Sequence, residues 1–202
     1  MSKQLKIGIM GGTFDPIHYG HLITAETARD EFKLDYVLFI PAGVPPHKNP
    51  AEVTNAEHRY QMTVFATLTN PHFEVSRVDI DRGKVTYTID TLRDLRNVYG
   101  SEVELYFITG ADAVAEIMSW KNAEELLKLS SFIAATRPGY QLRPQLQQWF
   151  SEHESQLHLL QVPAMAISST DIRRRVREHK SIRYLVPETV EYYIRKNSLY
   201  LD

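Results

Sequence analysis

Apolar positions fall into short runs that alternate with stretches of helical spacing. Residues 5–10, Leu-Lys-Ile-Gly-Ile-Met, predict a buried strand, and Leu22, Ala25, Ala28 and Phe32 then recur on one helix face. A second strand is predicted over 36–40, closed by Pro41 and a turn-rich stretch, 42–50. Residues 55–68 read as a helix with Asn55 as N-cap and Tyr60, Val64, Phe65 and Leu68 on one face. Residues 73–80 are rich in β-branched and aromatic side chains, which favours a strand. Helical spacing returns over 88–99 through Ile89, Leu92, Leu95 and Val98. Further strands are predicted over 103–108, 131–135 and 157–162, with a helical segment after residue 112 and a small surface helix within 140–156.

Such alternation predicts an α/β fold, a Rossmann-like doubly wound and mostly parallel sheet with helices on both faces. Ligands of such sheets sit beyond the carboxyl ends of the strands. No linker interrupts the pattern, so one domain is expected over 1–202, with a small helical appendage from about 168 to 202.

The first strand runs into Gly11-Gly12-Thr13-Phe14-Asp15-Pro16-Ile17-His18-Tyr19-Gly20-His21-Leu22. A glycine-rich strand-to-helix turn lets backbone N–H groups approach a phosphate, and the helix dipole favours the anion. Two histidines three apart, with a glycine between them, can both face that phosphate from the first turn. A second element, Ile167-Ser168-Ser169-Thr170 followed by Arg173, sets hydroxyls at another helix start with a guanidinium one turn on. Hydroxyl donors, unpaired N–H groups and an arginine make an anion site.

The remaining composition narrows the class rather than the chemistry. The chain has 202 residues, 43% hydrophobic and 24% charged, with 23 Lys and Arg against 25 Asp and Glu. A formal charge of −2 offers no global basic field for nucleic acid. There is no cysteine, which excludes disulfides and thiol chemistry. No leader pattern and no apolar run of bilayer length is visible, so no membrane partner and a cytoplasmic location are expected. Homo-oligomerisation is left open by the sequence.

The pattern Gly-x-Phe-x-Pro-x-His-x-Gly-His resembles the signature of the nucleotidyltransferase superfamily, and Ile167 to Arg173 resembles its second phosphate element. The loop Pro45-Pro46-His47-Lys48, the stretch Thr86-Tyr87-Thr88, Gly110-Ala111-Asp112, Trp120-Lys121 and Arg137-Pro138-Gly139 are similar to those of one branch, the bacterial nicotinate-nucleotide adenylyltransferases. The resemblance covers essentially the whole chain. It implies transfer of AMP from ATP to nicotinate mononucleotide, giving nicotinate adenine dinucleotide and pyrophosphate, with Mg²⁺ held mainly by ATP phosphates and water.

It also implies roles by position. His18 and His21 would be catalytic. Gly11, Gly12, Thr13, Phe14, Gly110, Asp112, Ile167, Ser168, Ser169, Thr170 and Arg173 would bind ATP, with Asp112 able to hold a ribose hydroxyl as a pure acceptor. Lys48, Thr86, Tyr87, Trp120 and Arg137 would bind nicotinate mononucleotide. Trp120 suits stacking on a cationic pyridinium, Thr86 and Tyr87 would take its carboxylate, Lys48 suits a phosphate, and Arg137 is secondary. The acceptor phosphate is already ionised at neutral pH and needs no general base. In-line attack without a covalent enzyme intermediate follows, with positioning and charge neutralisation as the main catalytic terms. Phosphate beside the two histidines would raise their pKa values. Other readings are a related adenylyltransferase acting on nicotinamide mononucleotide or pantetheine phosphate, and a non-catalytic nucleotide sensor. An aminoacyl-tRNA synthetase relative is disfavoured, because the chain has no Lys-Met-Ser-Lys-Ser element.

Overall fold

The computed structural model describes residues 4–201 apart from 47, 112, 115–122, 142–143 and 164. Strands β1 (Lys6–Gly12), β2 (Tyr36–Pro41), β3 (Phe73–Val75), β4 (Glu104–Gly110), β5 (Ser131–Thr136) and β6 (Leu157–Gln161) form one sheet in the order β3-β2-β1-β4-β5-β6. The pairs β1–β4, β4–β5 and β5–β6 are parallel, with Ile7 opposite Leu105 and Phe107 opposite Phe132. This is the doubly wound architecture that the alternating pattern predicts. The chain builds outward from β1 in one direction, returns, and builds outward in the other.

Burial along the strands follows from place in the sheet. Ile7, Ile9 and Met10 of β1 and residues Val37, Leu38, Phe39 and Ile40 of β2 are buried in succession, as expected of strands covered on both faces. On the edge strand β6 only Leu157 and Leu160 are buried, and Leu159 is 47% exposed.

The helices are α1 (Tyr19–Phe32), α2 (Ala56–Thr67), α3 (Val78–Asp81), α4 (Thr88–Tyr99), α5 (Ala123–Leu129), α6 (Pro144–Glu152), α7 (Ser169–Arg177) and α8 (Glu188–Lys196). Asn55 caps α2 as predicted, its side chain accepting from the Glu57 N–H at 2.8 Å. Three details differ from the expectation. The strand expected within 73–80 stops at Val75, and Val78–Asp81 turns helical, with the Asp81 N–H donating to the Arg77 carbonyl at 2.8 Å and the buried Asp79 carboxylate paired with Arg82 at 2.8 Å. The buried stripe of α2 is Arg59, Met62, Thr63, Ala66 and Thr67, whereas Leu68 is 71% exposed. In α4 the stripe is Thr91, Leu92 and Leu95, and Val98 in the last turn faces solvent.

The described residues group into two compact units, each discontinuous in sequence: 1–11, 24–37 and 87–164 in the first, and 12–23, 38–86 and 165–202 in the second. In the first unit Arg96 of α4 donates to the carbonyls of Leu129, Val103 and Gly100 at 2.8, 2.6 and 3.1 Å, tying the end of its helix to the entries of β4 and β5. In the second unit Gly43, just beyond β2, lies against the backbone of α3. A Cβ there would stand 2.4 Å from the Asp79 carbonyl oxygen, so only glycine allows the approach. Gly43→Ala is expected to lower stability by about 2 kcal/mol by forcing backbone apart, read as a drop in the urea midpoint with unchanged slope.

Candidate active site

The second unit holds the glycine–histidine segment together with the 168–173 element. Helix α1 begins with orphan N–H groups, as every helix does. The His18 N–H donates to His21 Nδ1 at 3.2 Å, and the Tyr19 N–H donates to the Leu185 carbonyl at 3.1 Å. His21 therefore caps its own helix. Its Nδ1 must be unprotonated to accept, so the neutral ring carries its proton on Nε2, a donor.

The two imidazoles stack with centroids 3.7 Å apart, and the edge of Phe14 meets His21 at 5.1 Å. Gly20 makes the stack possible, because a Cβ there would lie 3.0 Å from His18 Nδ1 and Cε1. That Nδ1 is buried without a hydrogen-bond partner among the described residues, an expense seldom seen outside functional sites.

Burial pushes the His18 pKa down from 6.5 to about 4. His21 is also held well below its ordinary value, by burial first and then by repulsion from His18 and Lys48. The sequence reading expected raised values beside a triphosphate. The protein by itself pushes the other way, because desolvation and stacking both disfavour charge on the rings.

The loop around these rings carries the positive charge. Lys48 is exposed, yet its ammonium pKa is lowered, by partial desolvation first and then by Arg173. Lys48 in turn depresses His21, so His18, His21, Lys48 and Arg173 lie within electrostatic reach of one another. Ser168 caps α7 by accepting from the Asp171 N–H at 3.2 Å. The Ser169 hydroxyl donates to the Pro16 carbonyl at 2.8 Å, and Arg173 Nη1 donates to the Asp15 carbonyl at 2.7 Å. The two phosphate elements predicted from separate parts of the chain are thus joined through backbone carbonyls of the histidine segment. Thr13 also belongs to this cluster, while Ile167 is partly buried and Thr170 exposed at the start of α7.

Beneath the loops lies Arg59, 1% exposed. Its guanidinium donates to the carbonyls of Thr54 at 2.8 Å, Thr13 at 2.8 Å and Gly43 at 3.0 Å. Asp15 is equally buried, its carboxylate accepting from the Tyr200 hydroxyl at 2.7 Å and the Thr54 N–H at 3.2 Å. Neither Arg59 nor Tyr200 was singled out by the sequence reading. Arg59 interrupts an otherwise mixed helix face, and that polar position on a buried stripe was the available signal.

The other predicted residues fall at these places in the fold. Thr86 Oγ1 accepts from the Gly43 N–H at 3.1 Å, fixing the loop after β2. Tyr87 is 52% exposed at the start of α4. In the first unit Gly11 lies on β1, Gly110 ends β4, and the exposed Arg137 follows β5. Gly12 and Phe14 flank the turn in the second unit, where Phe14 takes a positive φ of 51°. The expectations for Asp112 and Trp120 lie outside the described residues. Among the described residues, no group of three or more His, Asp or Glu side chains is assembled to hold a metal ion. No helix among them is long and apolar enough to cross a membrane.

A doubly wound sheet whose first strand opens through glycines into a two-histidine helix start defines a nucleotidyltransferase-type protein. Residues 9–175 match the cytidylyltransferase-like family. The chain is 56% identical to a protein of Thermoanaerobacter sp. (strain X514) and 59% identical to one of Moorella thermoacetica, both named "Probable nicotinate-nucleotide adenylyltransferase". These alignments cover 99% of this chain and 96% and 94% of the relatives. The chain belongs to the nicotinate-nucleotide adenylyltransferase family. In fold it is similar to the Plasmodium falciparum nicotinic acid mononucleotide adenylyltransferase solved with NaAD, at a TM-score of 0.78, 21% identity and 97% coverage of both chains. The same enzyme solved with APC gives a TM-score of 0.76.

Two outcomes follow from this geometry. Arg59→Lys keeps the charge but cannot fork to three carbonyls, and is expected to cost about 3 kcal/mol in chemical denaturation. The pH dependence is set by His18 and His21 together, both held below their ordinary 6.5, with His18 at about 4 in the folded chain. Between those values the unfolded chain binds the proton that the folded chain refuses, so stability falls as pH drops from 6.5 toward 4. Replacing His18→Gln should reduce that loss without abolishing it, because buried His21 keeps its own share, in urea titrations run at pH 7 and pH 5.

Proposed function

We propose that the protein transfers AMP from ATP to nicotinate mononucleotide, releasing pyrophosphate and forming nicotinate adenine dinucleotide in NAD biosynthesis. The stacked pair His18 and His21 at the start of α1, with Lys48 and Arg173 in electrostatic reach, carries the reading. Four donors of positive or inducible charge around one helix N-terminus suit a polyphosphate far better than a neutral ligand.

The phosphate of nicotinate mononucleotide attacks the α-phosphorus of ATP in line, the bond to the bridging oxygen breaks, and pyrophosphate leaves. The attacking oxygen is already ionised, so no residue removes a proton from it. His21 donates from Nε2 to phosphate oxygen, and His18 supports it from the stacked ring as charge develops. Arg173, anchored at one nitrogen to the Asp15 carbonyl, presents its remaining donors to the triphosphate. Gly11, Gly12, Thr13 and Phe14 form the turn that lets the phosphates approach, and Ser168, Ser169 and Thr170 with Ile167 form the second cradle. Lys48, Thr86, Tyr87, Trp120 and Arg137 are assigned to the mononucleotide, and Gly110 and Asp112 to the adenosine side. The divalent metal is taken to be Mg²⁺, which enters as part of the ATP substrate and is liganded by phosphate oxygens and water. A cytoplasmic enzyme is the corresponding location.

A bound triphosphate reverses the balance that keeps the histidines neutral, so binding draws a proton onto the pair near neutral pH. Titration calorimetry of ATP in buffers of different ionisation enthalpy should therefore show net proton uptake. Pyrophosphate release should require nicotinate mononucleotide in preference to nicotinamide mononucleotide, and His18→Ala should lower kcat by about a hundredfold or more. Preference for the amide would keep the chemistry and overturn the carboxylate assignment. A folded enzyme silent with both would remove the proposed reaction.

A further inference from the structure

The Asp15 carboxylate is 2% exposed, acceptor-only when ionised, and close to the same cations that an ATP phosphate would meet. It acts electrostatically on both Lys48 and Arg59, and its own peptide carbonyl is the anchor of Arg173. A buried carboxylate in that position is a built-in competitor for the triphosphate unless something turns it away. Two donors do so. The Thr54 N–H holds Oδ2 at 3.2 Å, and the Tyr200 hydroxyl holds Oδ1 at 2.7 Å.

We propose that Tyr200 is a positioning residue for nucleotide binding: its hydroxyl holds the Asp15 carboxylate away from Arg173, leaving that guanidinium free to meet phosphate. The proposal rests on the reading of the site as an ATP phosphate site. With both carboxylate oxygens bonded, the Asp15 side chain has little freedom to turn. Arg173 docks on the Asp15 carbonyl, and one turn earlier on α7 Ser169 docks on the next, at Pro16. Residues four apart on a helix share a face, so two successive carbonyls orient the whole first turn of α7. Tyr200 is well suited to the task. Burial and the adjacent carboxylate push its pKa upward, so it stays a hydroxyl donor at every working pH. Its oxygen also lies 3.9 Å from Met62 Sδ, within the buried stripe of α2. Loss of the hydroxyl would leave Oδ1 without that donor, and Arg173, already bonded to the carbonyl of the same residue, is a cation to which it can turn.

The test uses Tyr200→Phe, which keeps the ring and removes only the donor. ATP with Mg²⁺ is titrated calorimetrically into the wild type, Tyr200→Phe, Arg173→Ala and the double variant, with melting curves confirming that each is folded. Tyr200→Phe is expected to weaken ATP binding roughly tenfold, and the double variant to bind no more weakly than Arg173→Ala alone, because the effect passes through Arg173. In turnover the loss should fall on KM for ATP and spare KM for the mononucleotide. Adding Asp15→Asn to Tyr200→Phe should recover most of the lost affinity, since a neutral amide does not compete for the guanidinium. A hydroxyl that only stabilises the fold would lower Tm and leave all ATP affinities unchanged. That result, additive losses in the double variant, or no recovery with Asp15→Asn would each overturn the proposal. If the wild type itself fails to bind ATP, the reading of the site falls, and the positioning role falls with it.

Discussion

One buried guanidinium organises the second unit. Arg59 gives its donors to Thr13, Gly43 and Thr54, three carbonyls on three separate stretches of chain. Loops after parallel strands cannot satisfy their backbone groups within the sheet, and a buried carbonyl without a donor is costly. Arginine is the side chain whose rigid fork can meet several such carbonyls at once while remaining charged. The turn after β1, the turn after β2 and the approach to α2 are thereby held to one centre. Arg96 does similar work in the first unit, joining Leu129, Val103 and Gly100. In both, a polar residue on a helix, rather than added apolar area, holds loops in place.

That rigidity matters because the histidine pair is held in an unfavourable state for charge. Stacked rings 3.7 Å apart, one with an orphaned nitrogen and both desolvated, resist protonation. Such a site has little affinity for bulk protons and much to gain from a polyanion. Under the proposed function, the interaction energy would then be reserved for the bound triphosphate, which is the condition for preorganised electrostatic stabilisation. A flexible pair would relax toward solvent and lose the advantage.

The fold was largely legible along the chain. Strand and helix periods, the Asn55 cap and the glycine-to-histidine turn each depend on neighbours in sequence, and each was recovered. The errors sit where a tertiary partner overrides local pattern. Leu68 and Val98 continue an apolar stripe on paper but fall at helix ends, where both are largely exposed. Residues 78–81 continue a β-rich stretch, yet the Asp81 N–H bonds the Arg77 carbonyl in a helical turn across which Asp79 pairs with Arg82.

The site divides in the same way. The sequence by itself determined the chemistry on offer: two histidines one helical turn apart, a glycine between them, and hydroxyls with an arginine at a second helix start. Spacing along a helix is a local property, so those residues could be recognised before any fold was known. Only the tertiary structure decided that Arg173 hangs on the Asp15 carbonyl, that Arg59 joins three loops, and that Tyr200 reaches Asp15. Those contacts join residues 46, 158 and 185 positions apart. No periodicity spans such distances, because they are set by the order in which strands pair and helices cross. The ionisation of the histidines belongs to the same category. Residue type supplies a reference near neutrality, and burial, which exists only in the folded chain, moves it.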